Sequence, residues 1–174
     1  MRTAILFTCL FLIASLRAEQ NEPSKDFANF KRLAAGIEKA SALMVYAGTP
    51  HPMYRTAPPP PGAPREPERK KVKIHGEEFY EQAHVAGKEE IAKLKTLATN
   101  EANFSKWVGA KACGGFHADY CLEWKDGHKV YQMMLCFGCD EAKIYGPETD
   151  LYANVNPKAL KAFSQVLETV TKGK

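Results

Sequence analysis

The sequence lacks the features that mark several large functional classes. It has no Ser-His-Asp spacing, no glycine-rich loop of the kind that holds phosphates, and no helical metalloprotease motif. It has no internal repeat. The apolar run within the first residues is too short to span a bilayer, and no other apolar segment is long enough. The charge is also modest, because 24 Lys and Arg stand against 20 Asp and Glu, a formal net charge of +4. So small a positive charge does not predict binding to nucleic acid.

Residues 1–18 have the pattern of a secretory signal peptide. Arg2 supplies an early positive charge, a short apolar run follows, and Ala18 precedes a polar stretch. We expect cleavage after Ala18 and export to the periplasm or the extracellular space, with an uncleaved membrane anchor as the alternative. Cleavage removes Arg2 and Arg17 and lowers the formal charge from +4 to +2. Residues 19–174 are then predicted to form one soluble domain with no further membrane contact.

A proline-rich loop is predicted at about residues 49–71. Eight prolines lie between Pro50 and Pro67. Proline fixes φ and donates no hydrogen bond, so this run should be extended and polyproline-like. A stiff surface loop is the simplest interpretation, and a ligand for a proline-recognising partner is the alternative.

Hydrophobic spacing predicts three amphipathic helices. The first follows a Ser24 N-cap, and the second covers residues 87–98, with apolar residues on one face and charged residues on the other. The third begins at Asn156-Pro157, where asparagine can cap the helix and proline suits its first position. Residues 42–47, ALMVYA, are apolar on every side, so they predict either an extension of the first helix or a buried strand.

Shorter strand signals flank the centre of the chain. Residues 72–80 combine alternating apolar positions with His75-Gly76, which predicts a short strand or hairpin. Residues 151–155 predict one more strand. Residues 100–111 show no regular pattern and are predicted to be irregular.

The longest strand-like stretch lies on either side of Asp126-Gly127, a strong signal for a two-residue β-hairpin loop. Taking these two residues as the loop sets a register that pairs His117 with Cys136. A second tight turn at Gly138-Cys139 then adds residues 141–145 as a third strand.

Strand alternation sorts the side chains of this sheet between two faces. One face is apolar and should pack on the helices: Ala118, Tyr120, Leu122, Trp124, Tyr131, Met133, Leu135, Ala142 and Ile144. The other face is mixed, and any chemistry should lie there: His117, Asp119, Cys121, Glu123, Val130, Gln132, Met134, Cys136, Glu141, Lys143 and Tyr145. We therefore predict an α+β fold in which an antiparallel sheet, residues about 117–145 plus flanking strands, is covered on one face by amphipathic helices.

The predicted register gathers a group of metal-binding or disulfide-forming residues at one end of the sheet: Cys113, His117, Cys136 and Cys139, with Glu141 and Asp119 as neighbours. Cys121 lies four residues further along its strand, roughly 13 Å from Cys136 at ~3.3 Å per residue. A disulfide needs Cα atoms within about 7 Å, so Cys121 is predicted to stay apart.

Three interpretations of this cysteine cluster stay open. Export favours a structural disulfide from Cys113 to Cys136 or Cys139. Three thiolates and the His117 imidazole would also suit a structural zinc ion. The third interpretation is thiol–disulfide exchange at the Cys136-x-x-Cys139 motif. That motif lies between two strands with acidic residues beside it, a setting that should raise the thiol pKa and so oppose reactivity.

Four segments together resemble an uncharacterised family of exported bacterial proteins of the Planctomycetes and Verrucomicrobia type. They are residues 113–120 (CGGFHADY), 136–139 (CFGC), 45–52 (VYAGTPHP) and 76–80 (GEEFY). Ala118 stands where the family has proline. The resemblance implies a bacterial, exported protein and implies no activity.

The sequence leaves two classes of function. The first is a small exported non-catalytic domain that binds an unknown protein or cell-envelope partner, inhibits an enzyme or has a structural role. The second is a thiol–disulfide redox enzyme that uses Cys136 and Cys139. Neither class involves nucleic acid.

Overall fold

The computed structural model describes residues 22–51, 69–109, 111 and 113–172. The predicted signal peptide and most of the predicted proline-rich loop lie outside these residues. Within them the helices are α1 (Phe30–Lys39), α2 (Lys88–Thr99) and α3 (Pro157–Lys172). The strands are β1 (Ala42–Ala47), β2 (Lys71–Ile74), β3 (Glu77–Tyr80), β4 (His84–Val85), β5 (Phe104–Lys106), β6 (Tyr120–Asp126), β7 (Lys129–Cys136), β8 (Glu141–Tyr145) and β9 (Asp150–Val155).

Seven of the strands form one sheet in the order β4-β1-β6-β7-β8-β9-β5, and every pairing in it is antiparallel. Strands β2 and β3 pair with each other as a separate hairpin. The run from β6 to β9 is a meander, since each strand pairs with the next one along the chain. The predicted α+β fold with an antiparallel sheet is confirmed.

The ALMVYA segment is a strand and not an extension of α1. As β1 it pairs with β6 along its whole length, from Ala42 opposite Lys125 to Ala47 opposite Tyr120. Leu43 lies in the main core, while Tyr46 packs into a smaller cluster on the opposite face of the sheet. A strand covered on both faces carries apolar residues at successive positions, and this removes the alternation that would have identified it.

The main core lies between the sheet and the helices. Trp124, Met133 and Ile144 are buried there, as the predicted faces require, and Tyr120 is half-buried against the same cluster. Helix α2 packs against both α1 and α3, so the three helices form one layer. The helix-covered apolar face is therefore confirmed, apart from Ala118, which precedes β6 and belongs to the smaller cluster.

The register of the β6–β7 hairpin differs from the predicted one by two residues. Asp126 pairs with Lys129, so the loop residues are Gly127 and His128. Of these two, only Gly127 has a positive φ, 57°. Glycine at the first loop position is typical of a type II′ turn, whereas the predicted type I′ loop would have placed it second. Because the shift is an even number of residues, every side chain keeps its face.

Two local predictions were wrong. Ser24 does not cap a helix: Asp26 accepts from the backbone N–H of Ala28 at 3.1 Å and caps the 3-10 turn that leads into α1. Residues 100–111 are also more regular than predicted, because they include the edge strand β5, paired with β9. Strand β5 has only three residues, too few for an alternating pattern to be visible in the sequence.

The β2–β3 hairpin covers part of the mixed face of the sheet. Its Phe79 is fully buried with Cys121 and Met134 in the smaller cluster. At its tip, the His75 ring stacks on Tyr145 with 3.6 Å between ring centroids. The mixed face is therefore partly a second core, and the end near Cys136 is where a cleft remains.

Candidate functional site

A disulfide joins Cys113 to Cys139, with 2.12 Å between the sulfur atoms and 5.6 Å between the Cα atoms. It ties the segment before β6 to the turn between β7 and β8. Gly114 and Gly115 have φ values of 83° and 101°, which other residues rarely adopt, and this backbone brings Cys113 over the sheet end. Of the two predicted disulfide partners of Cys113, Cys139 is the one used.

The two-residue shift changes which residue meets the end of β7. Asp119, and not His117, lies there: its backbone N–H donates to the Leu135 carbonyl at 2.8 Å. Its carboxylate Oδ2 accepts from the backbone N–H of Phe137 at 2.7 Å. The predicted pairing of His117 with Cys136 was wrong because it assumed the Asp126-Gly127 loop.

His117 instead faces the segment after β1. Its Nε2 atom lies 2.7 Å from the carbonyl oxygen of Thr49, within hydrogen-bond distance. The ring of His51 meets it edge to face, with 4.8 Å between centroids. His51 follows Pro50, the first proline of the proline-rich stretch, so the two histidines join that stretch to the cysteine-rich one.

These residues surround a cleft of about 690 Å³, here called the disulfide cleft. Its lining residues are Pro50, His51, Lys111, Cys113, Gly115, His117, Asp119, Cys136, Phe137, Gly138 and Cys139. The structure therefore brings all four predicted cluster residues to one site, together with Asp119.

Cys136 is a free thiol in the wall of the disulfide cleft, with 3% of its surface exposed. Burial raises its pKa, and the nearby carboxylates of Asp119 and Glu141 raise it further. The backbone N–H groups of His117 and Cys139 act in the opposite direction and lower the pKa. The thiol is consequently held mostly protonated at neutral pH.

Among the described residues, Cys121 is the other free cysteine, buried in the smaller cluster. It lies opposite Met134, so it is offset from Cys136 by two residues and not by the predicted four. The roughly 13 Å separation predicted from the sequence was therefore too long, although Cys121 does stay outside the disulfide. Burial, and then Glu123, raise its pKa strongly.

Glu141 lies behind the cleft and does not line it. Its buried carboxylate accepts from Tyr152 Oη at 2.7 Å and from Trp107 Nε1 at 3.2 Å. Lys111 Nζ lies 3.9 Å away and also donates to the carbonyl oxygens of Cys139 and Asp140. Lys111 thus connects the buried acid to the disulfide turn. Its location in a segment without a regular pattern gave no sequence signal for this role.

The zinc interpretation does not match this arrangement. Cys113 and Cys139 are bonded to each other, so neither offers the thiolate that zinc would need. Across the described parts of the chain, no group of three or more His, Cys, Asp or Glu side chains is placed to hold a metal ion.

A second cavity, of about 260 Å³, lies between α1 and the β6–β7 hairpin. Arg32, Lys39 and Lys129 line it together with Asp126 and Glu148, so its charges largely offset one another. It contains no cysteine or histidine. The disulfide cleft is therefore the stronger candidate site.

No protein-family model, curated protein or solved structure matches the chain. Among the helices in the described residues, none is long and apolar enough to cross a membrane.

Proposed function

We propose that this chain is an exported, non-catalytic binding domain that holds a protein or cell-envelope partner in the disulfide cleft. The observation that supports the proposal is the construction of the cleft: a covalent bond between Cys113 and Cys139 fixes one wall. Binding sites are commonly preformed concave surfaces in which a few polar groups set specificity.

The polar groups around the cleft hold its walls in place. His117 Nε2 contacts the Thr49 carbonyl oxygen, and Asp119 accepts from Phe137 N–H. Lys111 donates to two carbonyl oxygens of the turn that carries Cys139. These contacts give each group a structural task, and this supports a rigid binding surface over a reaction centre.

Three features support export. The first 18 residues carry the signal-peptide pattern, and the Cys113–Cys139 disulfide suits an oxidising compartment. The resemblance to exported bacterial proteins supports the same placement.

The alternative function, a thiol–disulfide redox enzyme, has less support. Its active form would pair Cys136 with Cys139, but Cys139 is bonded to Cys113. The motif also spans the last residue of β7 and the turn before β8, where no helix N-terminus stabilises a thiolate. Burial and acidic neighbours raise the Cys136 pKa, which makes fast attack on a substrate disulfide unfavourable.

The binding proposal can be tested by a substitution that introduces a large side chain into the cleft. Gly138 lines the cleft, and a Cβ there would have no atom within 4 Å, so Gly138→Arg begins its side chain in open space. Val130→Arg is the matched control, because Val130 is exposed near the other end of β7. Residues 19–174 of each protein would be immobilised and incubated with a cell-envelope extract of the producing organism.

The wild type and Val130→Arg should retain the same specific partner, and Gly138→Arg should lose it at least tenfold. Equal retention by all three proteins would place binding elsewhere on the surface. If the immobilised wild type retains no specific partner from the extract, the proposal of a cell-envelope partner is contradicted.

A further inference from the structure

The free thiol of Cys136 lies beside the disulfide that its own motif partner makes. Cys136 is the last residue of β7, and Cys139 lies three residues further on, in the turn that leads into β8. Both residues line the disulfide cleft, as does Cys113. Three cysteines therefore line one cleft, and two of them, Cys113 and Cys139, are bonded to each other.

We propose that this site has a second covalent form, in which Cys136 displaces Cys113 and bonds to Cys139. The Cys136 thiolate attacks Sγ of Cys139, the Cys136–Cys139 bond forms, and the Cys113–Cys139 bond breaks. Cys113 leaves as a thiolate and takes up a proton, which replaces the proton that Cys136 lost. One disulfide and one thiol are present before and after, so no oxidant or reductant is consumed.

The consequence of this exchange is a change in the wall of the disulfide cleft. In the first form, Cys113 and the Gly114-Gly115 segment are fixed over the turn between β7 and β8. In the second form the disulfide lies within that turn, and the glycine segment is released. The exchange itself does not depend on the proposed binding function, whereas its effect on partner binding does.

The exchange should be slow and should accelerate with pH. Only the thiolate attacks, and the pKa of Cys136 is raised by burial first and then by Asp119 and Glu141. His51, Lys111 and His117 are the basic groups that line the same cleft. Below the pKa of Cys136 the thiolate fraction grows tenfold per pH unit, so the rate should rise about tenfold from pH 7.5 to pH 8.5.

Trypsin cleavage places Cys113 and the Cys136/Cys139 pair on different peptides, so the two disulfide forms can be distinguished. Residues 112–125 contain Cys113 and Cys121, and residues 130–143 contain Cys136 and Cys139. The protein would be incubated with iodoacetamide, quenched in acid and digested without reduction. Mass spectrometry would then give the masses of the peptides. The first form gives the two peptides linked together. The second gives residues 112–125 alkylated at Cys113, since Cys121 stays buried, and residues 130–143 with an internal disulfide.

The second form should accumulate in the wild type and in Cys121→Ser, and it should be absent from Cys136→Ser. Because the loss of Cys136 could also disturb folding, Cys113→Ser provides an independent test. In that variant, oxidised glutathione should produce an internal Cys136–Cys139 disulfide in most molecules. If Cys113→Ser yields only mixed disulfides with glutathione, the two sulfurs cannot reach each other and the proposal is overturned. Persistence of the linked peptides alone in the wild type at pH 8.5 would overturn it as well.

Discussion

The carboxylate of Asp119 accepts a hydrogen bond from the backbone N–H of Phe137, with 2.7 Å between Oδ2 and N. This bond joins the residue just before β6 to the residue just after β7. It lies beside the Cys113–Cys139 disulfide, so one hydrogen bond and one covalent bond together hold the entry of β6 against the β7–β8 turn.

Replacing Asp119 with alanine should lower the free energy of unfolding by about 1.5–3 kcal/mol, the range for hydrogen bonds to charged groups. The backbone N–H of Phe137 would lose its acceptor at a partly buried position. Urea denaturation measures the change. Glu148→Ala, at an exposed position, is the control and should alter stability by less than about 0.5 kcal/mol. Equal stability of the two variants would show that the bond contributes little.

Removal of the disulfide should be more costly than removal of a buried thiol. The bond closes a loop with a sequence separation of 26 residues. The chain-entropy relation for a loop of that size predicts a loss of about 3.5 kcal/mol for Cys113→Ala. Cys121→Ala removes one buried sulfur and should cost about 1 kcal/mol. A smaller loss for Cys113→Ala than for Cys121→Ala would contradict a stabilising role for the bond.

Gly48 lies where no side chain fits. A Cβ there would stand 2.0 Å from the Ala118 carbonyl oxygen, an atom of the backbone that cannot move aside easily. Gly48→Ala should therefore destabilise the protein by about 1–3 kcal/mol, the usual cost of overpacking. Gly138→Ala is the matched control, since a Cβ at Gly138 meets no atom within 4 Å. In thermal unfolding, Gly48→Ala should have a lower Tm than Gly138→Ala. Equal Tm values for the two variants would contradict the prediction.

Stability should fall at alkaline pH. Burial raises the pKa of Cys121, so the folded state keeps its proton where the unfolded chain, with a thiol pKa near 9.0, begins to lose it. This contribution is complete below pH 9.0 and declines above it, by at most about 1.4 kcal/mol per pH unit.

The measurement compares urea unfolding at pH 8 and pH 10 for Cys136→Ser and for the Cys136→Ser/Cys121→Ala double variant. Both proteins carry Cys136→Ser, so the Cys136 thiol beside the disulfide does not contribute to the change. The double variant should lose less stability than the single variant between the two pH values. If the free energy of unfolding falls equally in both proteins between pH 8 and pH 10, Cys121 does not account for the decline.

The predicted signal peptide gives a prediction of its own. Mass spectrometry of the exported protein should find Glu19 as its first residue, because Ala18 is the expected cleavage position. A membrane fraction that still carries Met1 would favour the uncleaved anchor.

Local patterns in the sequence were sufficient for the sorting of side chains between the two faces of the sheet. Trp124 and Met133 are on the helix side and Cys121 and Met134 on the other, as predicted. This sorting has a period of two residues, so even a hairpin register that was wrong by two residues preserved it. The third helix was equally visible, because Asn156 Oδ1 accepts from Lys158 N–H and Pro157 occupies the first helical position.

Tertiary structure decided the contents of the disulfide cleft. The position of Gly127 as the first loop residue moved Asp119, and not His117, to the end of β7. The partner of Cys113 was also undetermined, since Cys136 and Cys139 lie three residues apart and only the course of the turn selects between them. The cover on the mixed face, by Phe79 and the β2–β3 hairpin, joins segments far apart in the chain. Hydrophobic period and turn chemistry act over a few residues, whereas the disulfide pairing and the cover by the β2–β3 hairpin depend on contacts between distant segments.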